Sequence, residues 1–197
     1  MNRDDLINLY YNQKLSAQQI AAGLGYSVNK VNYWLKKYNI ERRTRSDASY
    51  IRHNPGGDPF SLPDLSQRDL AILHALGMGL YWGEGNKANK TSVRLGNSDP
   101  GVIKIFIKFL VDCYSVDKQR LRFGLQLFSD CDQQKALAYW VRYLGVEVSQ
   151  FYRITVTISG SIGTYRHKNK YGVVTVYFNN KKLRDVLVAR IADIAQG

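Results

Sequence analysis

The stretch Leu76-Gly77-Met78-Gly79-Leu80-Tyr81-Trp82-Gly83-Glu84-Gly85-Asn86-Lys87 constrains this chain more than any other. It reads as the C-terminal half of an apolar helix that begins near Ser66. Gly79 and Gly83 are four apart, so they share one helical face with no side chain to hold a neighbour away. A helix built this way calls for a second backbone pressed against it. Glu84 falls in the last turn, just before Gly85, where the helix dipole disfavours a negative charge. A carboxylate there is badly placed for stability and well placed to hold a divalent cation.

Charge narrows the partner. Lysine and arginine total 28 against 16 acids in 197 residues, a net charge of +12. Such an excess points to a polyanion, nucleic acid before a membrane surface, since no basic amphipathic anchor is evident. No apolar run approaches the roughly 18–20 residues that cross a bilayer. Met1-Asn2-Arg3-Asp4-Asp5 does not read as a signal peptide. Cys113 and Cys131 lack metal-ligand spacing and read as thiols in a reducing compartment, which makes a cytoplasmic location the expectation. The length suits one medium domain, or a small domain followed by a larger one.

The N-terminal residues favour the second arrangement. Leu6, Leu9 and Tyr10 share a face of a short helix over 3–12. Ser16-Ala17-Gln18-Gln19 fits a capping box that opens a second helix, and Gly23-Leu24-Gly25 ends it. Ser27 caps a third, from Val28 to Tyr38, with Val28, Val31 and Leu35 predicted inward. The set predicts a helix-turn-helix whose third helix offers Asn29, Lys30, Asn32, Tyr33, Lys36 and Lys37 to base edges and phosphates. Arg42, Arg43 and Arg45 follow as an arm suited to the DNA backbone or a minor groove. Residues 3–45 are similar to the resolvase-type helix-turn-helix modules. We therefore assign 1–46 to a DNA-binding domain with its basic arm. Residues 47–64, which include His53 and three prolines, are predicted to be an irregular linker, and 65–197 a second domain.

In the second domain the motif helix is followed by period-two alternation. Strands are predicted over 92–97, 120–127, 152–158 and 172–178. Helices are predicted over 102–114 (opened by Asp99-Pro100), 133–144 and 183–194. Leu121, Phe123, Leu125, Leu127, Ile154, Val156, Ile158, Val174, Val176 and Phe178 are expected inward. The outward set is Arg94, Arg120, Arg122, Gln126 and Arg153 with several threonines and Tyr177. No acid interrupts it, which suits nucleic acid. The segment 165–171, with Arg166, Lys168 and Lys170, reads as a basic hairpin tip. The fold class expected is α+β.

Gly79-Leu80-Tyr81-Trp82-Gly83-Glu84-Gly85 resembles the end of the LAGLIDADG motif of homing endonucleases, and the resemblance extends over roughly 65–194. Gly77 and Trp82 depart from the motif, as does glutamate rather than aspartate at Glu84. The resemblance implies an antiparallel saddle-shaped sheet that lies on DNA and is backed by helices. It also implies Gly79 and Gly83 at a helix–helix contact, and Glu84 as the acid that binds Mg²⁺ or another divalent cation. Asn97, with Asp99 a weaker choice, would stand near the metal, and Lys87 or Lys168 would neutralise the phosphate. One motif per chain implies a homodimer acting on double-stranded DNA. The expected activity is metal-dependent phosphodiester hydrolysis. The alternatives are a catalytically inactive DNA-binding protein or transcriptional regulator on the same scaffold, and an RNA maturation factor.

Overall fold

The structure, a computed structural model, describes residues 1–158 and 170–196. The chain divides into two compact units, Met1–Asp58 and Pro59–Gly197. It is an α+β protein with eight α-helices and one four-stranded sheet among the described residues.

The first unit is helical. α1 (Arg3–Ile7) runs into a π-helical turn over Asn8–Asn12, and α2 (Ala17–Leu24) and α3 (Val28–Lys37) follow. The capping box at α2 is formed: Gln19 N–H donates to Ser16 Oγ, and Ser16 N–H donates to Gln19 Oε1. α2 ends at Gly25, whose φ of +67° is a left-handed conformation that glycine adopts without steric cost. Ser27 caps α3 through Lys30 N–H. Leu6, Tyr10, Ile20, Ala21, Val31, Leu35 and Ile40 make a small core of their own. Val28, expected inward, is exposed because it occupies the first position of α3, beyond the core.

The segment behind α3 differs from expectation. Residues Arg45–His53 form α4, capped by Thr44, which accepts from Asp47 N–H. The irregular linker is therefore shorter than predicted at its N-terminal end, and Arg45 and His53 are helical. The cause is local: Thr44 supplies a cap and Asp47 an acid in the first turn, and both precede the proline-rich stretch.

The second unit holds α5 (Arg68–Glu84), β1 (Val93–Asn97), α6 (Pro100–Lys108), β2 (Arg122–Phe128), α7 (Gln133–Leu144), β3 (Thr155–Thr157), β4 (Val173–Phe178) and α8 (Lys181–Gln196). A π-helical turn at Phe109–Cys113 extends α6. Strand order is β1-β4-β2-β3. The β1–β4 and β4–β2 pairs are antiparallel, but β2 and β3 are parallel, so the sheet is mixed and the all-antiparallel expectation is corrected. The reason is the crossover through α7, which returns the chain in the same direction, as a helical connection between neighbouring strands does.

One sheet face packs on helices through Val93, Leu95, Phe123, Leu125, Leu127, Val174, Val176 and Phe178. β3 is the short edge strand, and there the inward expectation fails: Val156 is 42% and Ile158 73% exposed. Arg120 lies in a 3-10 turn (Lys118–Arg120) and Arg153 precedes β3, so neither is a strand residue. Cys113 and Cys131 are free. Among the described residues no helix is long and apolar enough to cross a membrane.

Candidate functional site

α5 presents two unlike faces. His74, Gly77, Met78 and Tyr81 are buried, spaced as one helical stripe. Gly77 lies against the Phe109 ring so closely that a Cβ there would overlap it. The Tyr81 ring stacks on Phe106 at 6.1 Å. Its hydroxyl is buried with no hydrogen-bond partner among the described residues, and burial pushes its pKa above the usual phenol value. On the opposite stripe, Ile72 (56%), Leu76 (47%) and Trp82 (46%) are exposed, and Gly79 and Gly83 lie open between them. A Cβ added at either of these glycines would meet nothing within 4 Å. Glu84 follows Gly83 in the last turn of α5 and is exposed.

Backbone contacts fix the helix end. Gly85 N–H donates to Tyr81 O at 3.0 Å, and Gly85 pairs with Leu95 of β1. Asn86 N–H donates to Arg94 O at 2.9 Å. Arg184 of α8 reaches across with Nη2 on Lys87 O and Nε on Asn89 O, at 2.6 and 3.0 Å. Asn89 Oδ1 in turn accepts from the backbone and hydroxyls of Thr91 and Ser92. The turn after Glu84 is therefore held from the sheet and from α8.

Two residues expected beside a reacting phosphate have other work. Lys87 Nζ donates to the last carbonyls of α5, Trp82 O at 2.5 Å and Tyr81 O at 3.5 Å. That is a C-terminal cap, since a cation there meets unsatisfied carbonyls and the negative end of the dipole. Asn97 Oδ1 accepts Asp99 N–H at 2.9 Å in the turn before α6, while Asp99 Oδ1 caps that helix through Gly101 N–H at 2.7 Å. Among the described residues no three His, Cys, Asp or Glu side chains gather as a metal group. Lys168 and Arg166 lie outside the described residues.

The second sheet face is half-buried along its first two rows and exposed at Gln126, Val173 and Thr155. Register places Arg94 of β1, Tyr177 of β4 and Arg122 of β2 in one row across three strands. The next row is Gly96, Thr175 and Gly124, and Gln126 pairs with Val173 and Thr155 beyond it. No carboxylate occurs in these rows. Arg94 lies over the Tyr177 ring at 5.1 Å, and Tyr152 meets that ring edge-on at 5.4 Å. Gln126 Nε2 donates to Thr157 Oγ1 at 3.3 Å. Arg120 and Arg153 are exposed outside these rows, and Lys170 is exposed in the turn before β4 with its ammonium over Tyr171.

In the first unit, Asn29, Lys30, Tyr33, Lys36 and Lys37 are exposed along α3. Lys30 Nζ is 4.4 Å from the Tyr26 ring centroid, which orients it along the helix. Asn32 is only partly exposed, and its Oδ1 is buried with no hydrogen-bond partner among the described residues, in a cleft that Asn29, Tyr33, Lys36 and Arg42 also line. Arg42 is exposed as expected. Arg43 is not a free arm residue. Its guanidinium donates to Lys14 O at 2.9 Å and to Leu15 O, and it lies over the Tyr10 ring at 4.0 Å. It fastens the segment after α3 to the helices because Leu15 O and Lys14 O, in the α1–α2 connection, have no helical donor there.

Sequence reasoning missed His74 and Arg184. Burial and Arg190 hold His74 below the usual imidazole value, and its Nε2 stands 3.1 Å from the Tyr114 hydroxyl. Burial pushes Tyr114 up to about 12. No family model, curated protein or solved structure matches this chain.

Proposed function

We propose that this chain is a sequence-specific, metal-dependent DNA endonuclease that acts as a homodimer. In this reading it joins an N-terminal helix-turn-helix to a LAGLIDADG-like domain. One observation carries the reading: α5 is apolar along most of its length, yet half of it faces solvent along Gly79 and Gly83, and the exposed Glu84 follows directly on Gly83 in the last turn. A helix apolar all round is normally buried, so the open stripe calls for a partner surface. Gly79 and Gly83 would let the same helix of a second copy approach closely, and a two-fold contact would bring two Glu84 side chains together.

Glu84 fits half of a divalent-cation site. It is an exposed hard oxygen donor at a helix end that is fixed by β1 and α8, and the second half would come from the partner copy. A bound cation would supply activation of water and stabilisation of charge on the phosphate. The chain's own residues hold the DNA: Asn29, Lys30, Tyr33, Lys36, Lys37 and Arg42 from the first unit, and Arg94, Arg122 and Gln126 from the second sheet face. The same chemistry extends to Arg45, Arg120, Arg153 and Lys170 as phosphate contacts.

The test is Glu84→Gln. It should abolish Mg²⁺-dependent cleavage of a DNA library while leaving retention of duplex DNA intact. A Glu84→Gln protein that still cuts would end the nuclease reading. A second reading, a DNA-binding protein without catalysis, draws on Lys87 and the Asn97 amide oxygen, which are both engaged in capping and turn bonds. In that case the wild-type protein should retain specific duplexes and produce no ends with or without Mg²⁺.

A further inference from the structure

Beyond the general DNA affinity proposed above, the half-buried second sheet face carries two arginines with tethered guanidinium groups. Arg94 spends Nε on Ser92 Oγ at 2.7 Å, and its plane is steadied by the Tyr177 ring. Its Nη1–Nη2 edge makes no hydrogen bond among the described residues. Arg122 spends Nη1 on the carbonyls of Gln119 and Leu121, at 2.7 and 2.8 Å. Its Nε–Nη2 edge likewise makes no hydrogen bond among the described residues. Each guanidinium thus has one tether and keeps one planar, two-donor edge. A tethered fork loses little freedom on binding and is matched to an acceptor pair in a plane.

The row beside them is closely packed. Gly96 and Gly124 flank Thr175, and both glycines are demanded by packing. A Cβ at Gly96 would lie 2.8 Å from Thr175 Oγ1, and one at Gly124 would lie 3.1 Å from the Tyr177 ring. Tyr177 is held between the arginines by Tyr152, whose hydroxyl accepts from Asn179 Nδ2 at 3.1 Å. The Tyr177 ring thus stands between the two guanidinium groups and separates them.

We propose that Arg94 and Arg122 are specificity-determining residues, each reading one guanine through its O6 and N7 acceptors in the major groove. Arginine's two-donor edge fits that acceptor pair, and no other base presents two acceptors there. Arg94 and Arg122 stand two strand spacings apart, about 10 Å, which is about three base steps of 3.4 Å. The half-site should therefore hold two guanines separated by about three base pairs. This inference rests on the second sheet face being the DNA-contacting surface.

The experiment is selection of bound duplexes from a randomised library without cleavage, by the wild-type protein and by Arg94→Lys and Arg122→Lys, each checked for folding by circular dichroism. The expected result is a half-site with two such guanines. Each lysine variant should relax one guanine position only, and weaken binding to the wild-type site by roughly 10- to 100-fold at constant salt dependence. A phosphate role would instead leave the selected sequence unchanged and weaken all duplexes alike, which overturns the proposal. Specific duplexes without paired guanines overturn it too, while leaving the DNA reading standing. Retention of no duplex at all would refute the DNA reading itself.

Discussion

The open stripe of α5 makes a prediction in which stability and assembly move in opposite directions. Gly79 sits inside the helix, and an added Cβ would meet no heavy atom within 4 Å. Alanine in a helix interior is favoured over glycine by about 0.8–1.0 kcal/mol. Gly79→Ala should therefore stabilise the folded monomer by about that amount, raising Tm by about 3 °C. In a helix–helix contact built on Gly79 and Gly83, the same methyl enters the space that lets two backbones approach, and self-association should weaken at least tenfold. Gly77 provides the internal control. It lies two residues earlier but faces the Phe109 ring. There Gly77→Ala meets an overpacking cost of about 1–3 kcal/mol, which the propensity gain offsets only in part. The assay is thermal unfolding at the lowest workable concentration, paired with sedimentation velocity over a concentration series. A lower Tm for dilute Gly79→Ala would mean that the face is not open. Unchanged self-association would mean that copies of the chain do not meet there. Either result refutes the reasoning.

Other expected outcomes concern groups that serve the fold. His74 is held below its ordinary value of about 6.5, first by burial and then by Arg190. A lowered folded value means that the unfolded chain takes the proton first. The stability contribution is full above about pH 6.5 and is lost as the pH falls through that value toward the folded one. Urea unfolding at pH 7.5 and 5.5 should show this loss, and His74→Phe should flatten the slope. Arg43→Ala removes two charge-assisted bonds to backbone carbonyls and a stacking contact, so it should cost the first unit roughly 2–3 kcal/mol in denaturant unfolding. Arg42→Ala, one residue away and exposed, should leave that midpoint within experimental scatter.

The elements were legible where local physics alone decides them. The Ser16 capping box, the Ser27 and Asp99 caps and the alternation in β2 and β4 each state their structure within a few residues. What could not be read was long-range pairing. Nothing in Thr155-Val156-Thr157 says that it joins β2 in parallel rather than another strand antiparallel, because alternation fixes the face of a strand and not its neighbour. The same limit applied to side chains. Arg42 and Arg43 are chemically alike in sequence, and only the carbonyls of Lys14 and Leu15 separate a surface cation from a fastening one. Of the candidate site, the shared helical face of Gly79 and Gly83 was legible from four-residue spacing, whereas its exposure and the grip of Arg184 on a turn nearly a hundred residues away were not.

That grip bears on why an acid can stand at the end of α5. A carboxylate in a last helical turn is opposed by the dipole at a cost of about 0.3–1 kcal/mol. Around Glu84 the cost is offset by groups that serve the backbone and not the carboxylate. Lys87 places its charge on the Tyr81 and Trp82 carbonyls, and Arg184 takes the Lys87 and Asn89 carbonyls. The Gly85 pairing with Leu95 then anchors the helix end to the sheet. Among the described residues none of these cations forms an ion pair with Glu84 itself, which is exposed. In the nuclease reading proposed above, that exposed carboxylate is the group that would meet the cation.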